Sequence, residues 1–136
     1  MLDKIAYVGH EVTSIDYSGD TPTTGEGVFE VNIASTVDLI VNREDLKKDA
    51  YDIVSYPVKV NVVGYEGDED DKVEVFDLEF IVESIFKFPH DISDQKQFVK
   101  DNLWYFENIS NINIADVSQD LLRHTPFSSV KITDVG

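Results

Sequence analysis

The densest group of side chains that could do chemistry lies in GYEGDEDDKVEVF, residues 64–76, where Glu66, Asp68, Glu69, Asp70 and Asp71 crowd one short stretch. Clustered carboxylates beside glycines suggest a hard cation such as calcium, held by oxygen ligands at fixed loop positions. Set against an EF-hand loop, Asp68, Asp70 and Glu79 take the first, third and twelfth positions. The fifth then falls on Lys72, a cation where an oxygen ligand belongs, and the sixth on Val73, where the turn needs glycine. The flanks alternate like strands, whereas an EF-hand needs helices. The stretch therefore reads as the wet tip of a hairpin: Gly64 and Gly67 permit the turn, and the acids discourage edge-to-edge pairing. No metal and no other cofactor is expected.

Other chemistry finds little support. His10, His90 and His124 fall in a strand, a turn and a helix end, with no ligand spacing between them. There is no glycine-rich phosphate loop, no GxSxG and no HExxH. Cysteine is absent, which removes disulfides and thiolate metal sites. The remaining option for acid–base work is a carboxylate pair across strands, with Glu79 as one member. The expectation is a protein that is not an enzyme.

Charge narrows the partners. With 27 acids against 11 Lys and Arg, the 136-residue chain carries a formal charge of −16. Such a field repels nucleic acid and anionic membrane, and favours basic partners. No run approaches the ~18 apolar residues of a membrane span, and MLDKIAYVGHEV lacks the apolar core of a signal peptide. A cytoplasmic protein forming one domain over residues 1–136 is expected. Hydrophobic residues make up 42%, enough for a packed core.

The elements that must position these residues follow from periodicity. Residues 4–17 alternate weakly, with Ile5, Tyr7, Ile15 and Tyr17 on one parity. Residues 29–41 set Phe29, Val31, Ile33, Val37 and Leu39 against polar neighbours. Residues 51–65 set Tyr56, Val58, Val60 and Val62 against Ser55, Pro57, Lys59 and Asn61, with Pro57 placed near a strand start. Residues 73–88 set Phe76, Leu78, Phe80, Val82, Phe86 and Phe88 against Asp77, Glu79 and Glu83. A period of two with one apolar face predicts an antiparallel sheet buried on one side. After Pro89 the spacing becomes three to four. This predicts helices over about 93–106 and 110–124, the first started by Asp91, Ser93 and Asp94 and the second ended by Thr125-Pro126. The expected fold class is α+β: a four-stranded antiparallel sheet with two C-terminal helices over its apolar face.

One segment carries more than a hairpin. VKVNVVGYEGDEDDKVEVFDLEFIVESIFKF, a long strand, an acidic turn, a second long strand and a closing ESIF, resembles the central hairpin of the SecB family of export chaperones. Ser84 keeps one of the family's paired small residues, Glu83 replaces the other, and Ile85-Phe86 matches the step that follows. HTPFSSVKI is similar to the family's G-F-P-P-L-x-L ending, though its Pro precedes the Phe. The helix junction has WYFENISNIN in place of the family's L-F-P-Y-A-R run. The resemblance spans about residues 2–132 and is that of a divergent member.

The resemblance implies an ATP-independent holdase for non-native polypeptides, a sheet-and-two-helix fold assembled as a dimer or tetramer, and delivery of clients to the SecA motor. The alternative it implies is a SecB-fold protein with one dedicated partner, as in the members that serve toxin–antitoxin systems. Phe86, Phe88, Trp104, Tyr105 and Phe106 are the candidates for client contact. Asp77 and Glu79 are the candidates for an acidic sheet face that docks SecA. Core packing competes for Phe86 and Phe106, but three aromatics in a row at 104–106 cannot all be buried by one helix face.

Overall fold

The computed structural model describes residues 2–20, 27–35, 39–43, 51–67, 72–89 and 91–127. After one 3-10 turn, the strands are β1 (Ala6–Gly19), β2 (Gly27–Ser35), β3 (Ile40–Arg43), β4 (Tyr51–Glu66) and β5 (Val73–Pro89). The helices are α1 (Gln95–Asp101) and α2 (Leu103–Leu122). All pairings are antiparallel, in the order β1-β5-β4-β2, with β3 also pairing β4. Because β2 and β3 lie end to end on the same edge of β4, the sheet has four strand positions, as the alternation predicts.

The stretch predicted as one strand over 29–41 is therefore two. β3 pairs β4 from Asp52 to Ser55, and β2 pairs it from Val58 to Glu66. Pro57 falls in the gap between them. It has no N–H to give to a ladder, so the break sits where the edge can best accept it. Pro57 is thus inside β4 rather than near its start.

β4 and β5 form the central hairpin, paired from Tyr51 with Pro89 to Glu66 with Val73, with one register shift between Gly64 and Tyr65. The chain leaves β4 through Gly67, whose φ of 101° favours glycine. Of the acidic tip, residues 68–71 lie outside the described residues. The even positions of both strands point one way and are buried: Val54, Tyr56, Val58, Val60 and Val62 from β4, and Phe76 to Phe88 from β5. This is the inner face, and the helices pack on it. Gly64 lies directly under the Phe76 ring, where a Cβ would collide with it.

β1 explains its own weak pattern. Register shifts between Tyr7 and Gly9 and between Val12 and Ser14 change its parity twice. As a result Tyr7, His10, Val12, Ile15 and Tyr17 all pair with inner-face residues of β5.

The helix boundaries differ from the sequence reading. One non-helical residue, Asn102, separates α1 from α2, so Trp104, Tyr105 and Phe106 open the long helix instead of closing the short one. The Asn102 side chain donates to the Phe98 carbonyl at 3.0 Å and ends α1 there. The three-to-four spacing then runs unbroken through Phe106, Ser110, Asn113, Ile114, Val117 and Leu122, all buried. Asp94 caps α1 by accepting from the Gln97 amide at 3.1 Å. Gln95 fixes the same end to β4, donating to the buried Asp52 carboxylate at 2.6 Å.

Candidate functional site

Phe86, Phe88 and Phe106 are fully buried. The two β5 residues have inner-face parity, and Phe106 is the residue of α2 that descends between them. Phe106 meets Phe86 edge-on with ring centroids 4.9 Å apart and lies 5.9 Å from Phe88, which also meets Phe98 at 5.6 Å. As client contacts on the surface these three are corrected: they are the aromatic centre that holds α2 to the sheet. Tyr105 is half-buried against Phe86, and Trp104 is 62% exposed. The triplet divides as one helix turn must, one ring in, one at the side and one out.

Exposed apolar surface gathers where the helices stop short of the sheet edges. The inner face continues beyond β5 onto β1 and beyond β4 onto β2, but the helix layer covers mainly the centre. On the β1 margin Ile15 is 55% exposed, with Tyr7 and Val12 also open. On the β2 margin Phe29 and Ile33 are exposed. Among the described residues β1 and β2 are the outermost strands at these margins, with no further strand paired to them. On the outward side of α2, Trp104 and Ile112 add two more exposed apolar side chains.

Between β1 and the C-terminal half of α2 lies an open cleft of about 350 Å³, lined by His10, Asp116, Val117, Gln119, Asp120 and Arg123. Arg123 is held on Asp120 at 3.1 Å. Beside this cleft the Tyr7 hydroxyl donates to Asn113 Oδ1 at 3.1 Å and lies 3.3 Å from His10 Nδ1. Asn113 in turn donates to the Ser84 hydroxyl at 2.9 Å. Strand β1, helix α2 and strand β5 are thus tied by one polar chain.

The outer face differs in kind. Asp77 accepts from Asn61 at 2.6 Å, and Glu79 is paired with Lys59 at 2.7 Å. The hydrogen bond and charge of Glu79 raise the Lys59 pKa above its ordinary value. Lys72 reaches Glu30 at 3.5 Å and lies over the Tyr65 ring, and Lys87 lies over the Tyr51 ring. Asp77 and Glu79 do share one face, but that face is mixed in charge rather than simply acidic. The signal for the pairing is present in the sequence, since Lys59 has the outer parity of β4. The register that brings it beside Glu79 is not.

Among the described residues no three side chains of metal-ligand type gather. His10 borders the cleft, His124 lies just beyond α2, and His90 lies outside the described residues. Among the same residues no helix is long and apolar enough to cross a membrane.

No protein-family model and no curated protein matches the chain. Among solved structures it is similar to the Mycobacterium tuberculosis Rv1957 SecB-like chaperone, solved in complex with a ChAD peptide from the Rv1956 HigA1 antitoxin. The TM-score is 0.68 over 98% of this chain and 93% of that one, at 8% sequence identity. The element order and sheet of this chain are those of a SecB-like fold, as the central hairpin and the closing ESIF predict.

Proposed function

We propose that this SecB-like fold binds extended, non-native polypeptide segments along the apolar margins of its inner sheet face, as an ATP-independent holdase in the cytoplasm. One observation carries the reading. The inner face is apolar out to both edge strands, yet the helix layer leaves its margins open, so Ile15, Val12, Phe29 and Ile33 meet solvent. Exposed apolar surface of this kind beside unpaired strand edges suits a partner that brings apolar side chains and a free backbone. Recognition through aliphatic and aromatic surface tolerates many sequences. Trp104 and Tyr105 extend the contact surface at the start of α2.

The test is suppression of aggregation of several chemically unfolded clients at near-stoichiometric ratio without nucleotide. Unchanged aggregation with well-folded protein ends the proposal.

A second reading has its own support: a solved protein of this fold, at 8% identity, is bound to a peptide from an antitoxin. The same margins would then serve one dedicated protein segment. Capture from a lysate separates the two, since a dedicated partner gives one stoichiometric band and a holdase gives many.

Self-association belongs to the same proposal. The free edge of β1 and the exposed Trp104 and Ile112 of α2 suit a dimer or tetramer. Light scattering tests this, and a monomer at micromolar concentration refutes it. Delivery to SecA would use Asp77 and Glu79. A cationic partner there must compete with Asn61 and Lys59 for the two carboxylates.

A further inference from the structure

The cleft between β1 and α2 offers hydrogen-bond acceptors. A register shift between Tyr7 and Gly9 brings Tyr7 and His10, three residues apart, to the same face of β1. Tyr7 has one hydroxyl proton and gives it to Asn113 Oδ1, so at the Tyr7–His10 contact the ring Nδ1–H is the donor. A neutral imidazole tied in this way keeps Nε2 as a bare acceptor. On the helix wall Arg123 is already held by Asp120 at 3.1 Å, whereas Asp116 makes no hydrogen bond or ion pair among the described residues. The free groups of the cleft are thus a carboxylate and an imidazole nitrogen, beside the nearly buried Val117. They fit an ammonium or guanidinium head whose aliphatic stem lies on Val117.

The cleft is also in line with the apolar margin of β1. His10 pairs with Ser84, Val12 with Val82 and Ile15 with Phe80, three successive inner-face rungs of β5. Rungs two residues apart are spaced by about 7 Å, which an extended segment also covers in two residues.

We infer that the cleft is a cation subsite at the end of the β1 margin. It takes a lysine or arginine side chain of the same polypeptide whose apolar side chains cover Ile15 and Val12. The inference rests on the function proposed above and adds a register to it. With apolar residues at i and i+2 over Ile15 and Val12, residue i+4 reaches His10 and Asp116. The site therefore selects apolar-x-apolar-x-basic and sets the direction in which such a segment lies along β1. The overall charge of −16 attracts a basic peptide wherever its lysine stands. A subsite discriminates by position, because moving the lysine by one residue turns it to the other side of an extended segment.

Three fluorescent peptides of equal length separate these cases. Each carries leucines at i and i+2 in a Ser/Gly background, with lysine at i+4, lysine at i+5 or glutamine at i+4. At fixed ionic strength, anisotropy should give the first a Kd on the order of fivefold below the second, the strength of one partly exposed ion pair. Asp116→Asn should erase that preference, and His10→Phe should cut it to about twofold. Glu107→Gln removes an equal charge from the exposed side of α2 outside the cleft and should leave the preference in place. Thermal unfolding confirms that each variant is folded. Equal affinity for the two lysine peptides overturns the subsite, as does a preference that survives Asp116→Asn. A protein that binds none of the three refutes the functional reading and the subsite with it. One that binds all three alike refutes the subsite and leaves the functional reading standing.

Discussion

Replacing Ile15 with Ser tests the inner-face margin with a built-in comparison. Ile15 and Val28 are almost equally exposed, at 55% and 56%. Ile15 pairs with Phe80 and so has inner-face parity, while Val28 pairs with Tyr65 on the outer face. Fully burying an aliphatic side chain is worth about 1.5–3 kcal/mol, so the half of Ile15 still exposed offers roughly 1–1.5 kcal/mol to a polypeptide that covers it. Ile15→Ser should therefore weaken binding of an unfolded, apolar peptide by about tenfold. Phe29→Ser should act similarly from the opposite margin. Val28→Ser removes comparable apolar surface from the wrong face and should leave affinity within about twofold of the wild type. Fluorescence anisotropy at fixed ionic strength reads the affinities, and thermal unfolding confirms that each variant remains folded. The reasoning fails if Ile15→Ser binds like the wild type, or if Val28→Ser loses as much as Ile15→Ser.

Phe106→Ala should destabilise the fold by about 3–5 kcal/mol in denaturant titration, since it empties the aromatic centre between Phe86 and Phe88. Gly64→Ala should cost about 1–3 kcal/mol, because the new methyl meets the Phe76 ring, and Phe76→Leu in the same chain should recover part of the loss. The Lys59 ammonium should titrate above the ordinary lysine value of 10.5 in an NMR titration and return toward it in Glu79→Gln. A raised lysine pKa means the pair's contribution is fully present below that ordinary value and is lost as pH rises through the folded one. The pair is exposed to solvent, so its contribution is small and fades with added salt, and only its loss falls in the alkaline range.

The central hairpin was legible because β4 and β5 are buried on one face along nearly their whole length. A period of two then survives in the sequence from Val54 to Val62 and from Phe76 to Phe88. β1 was harder for a physical reason. Its two register shifts put Tyr7, Val12 and Ile15 on one face despite their mixed parity; Gly9, with φ 153°, marks the first, and the second has no such signal in VTS. The split of β2 from β3 depends on where along one edge of β4 each stretch pairs, on either side of Pro57, and periodicity carries no information about that. In the helices the spacing was correct and the boundary was not. A strong aromatic triplet at 104–106 looks like the close of one helix until Phe106 is seen to begin the stripe that runs to Leu122. The apolar margins were invisible for a related reason. Alternation reports which side of a strand is apolar, but coverage depends on how far the helices reach across the sheet.

The two faces of the sheet treat their exposed groups in opposite ways. On the outer face Asp77 has Asn61, Glu79 has Lys59, Lys72 has Glu30 and Tyr65, and Lys87 has Tyr51. Each of these groups already has a partner, so an outside ligand gains only the difference between its own contact and the one it displaces. On the inner margins Val12, Ile15, Phe29 and Ile33 face water, and any apolar cover is a net gain. The negative charge that the sequence presents most loudly is thus in part neutralised within the chain where the sheet displays it. The larger free energy for a partner lies on the quieter face, beside α2, where the polar Tyr7–Asn113–Ser84 chain ties the helix to the edge strand whose apolar surface lies open.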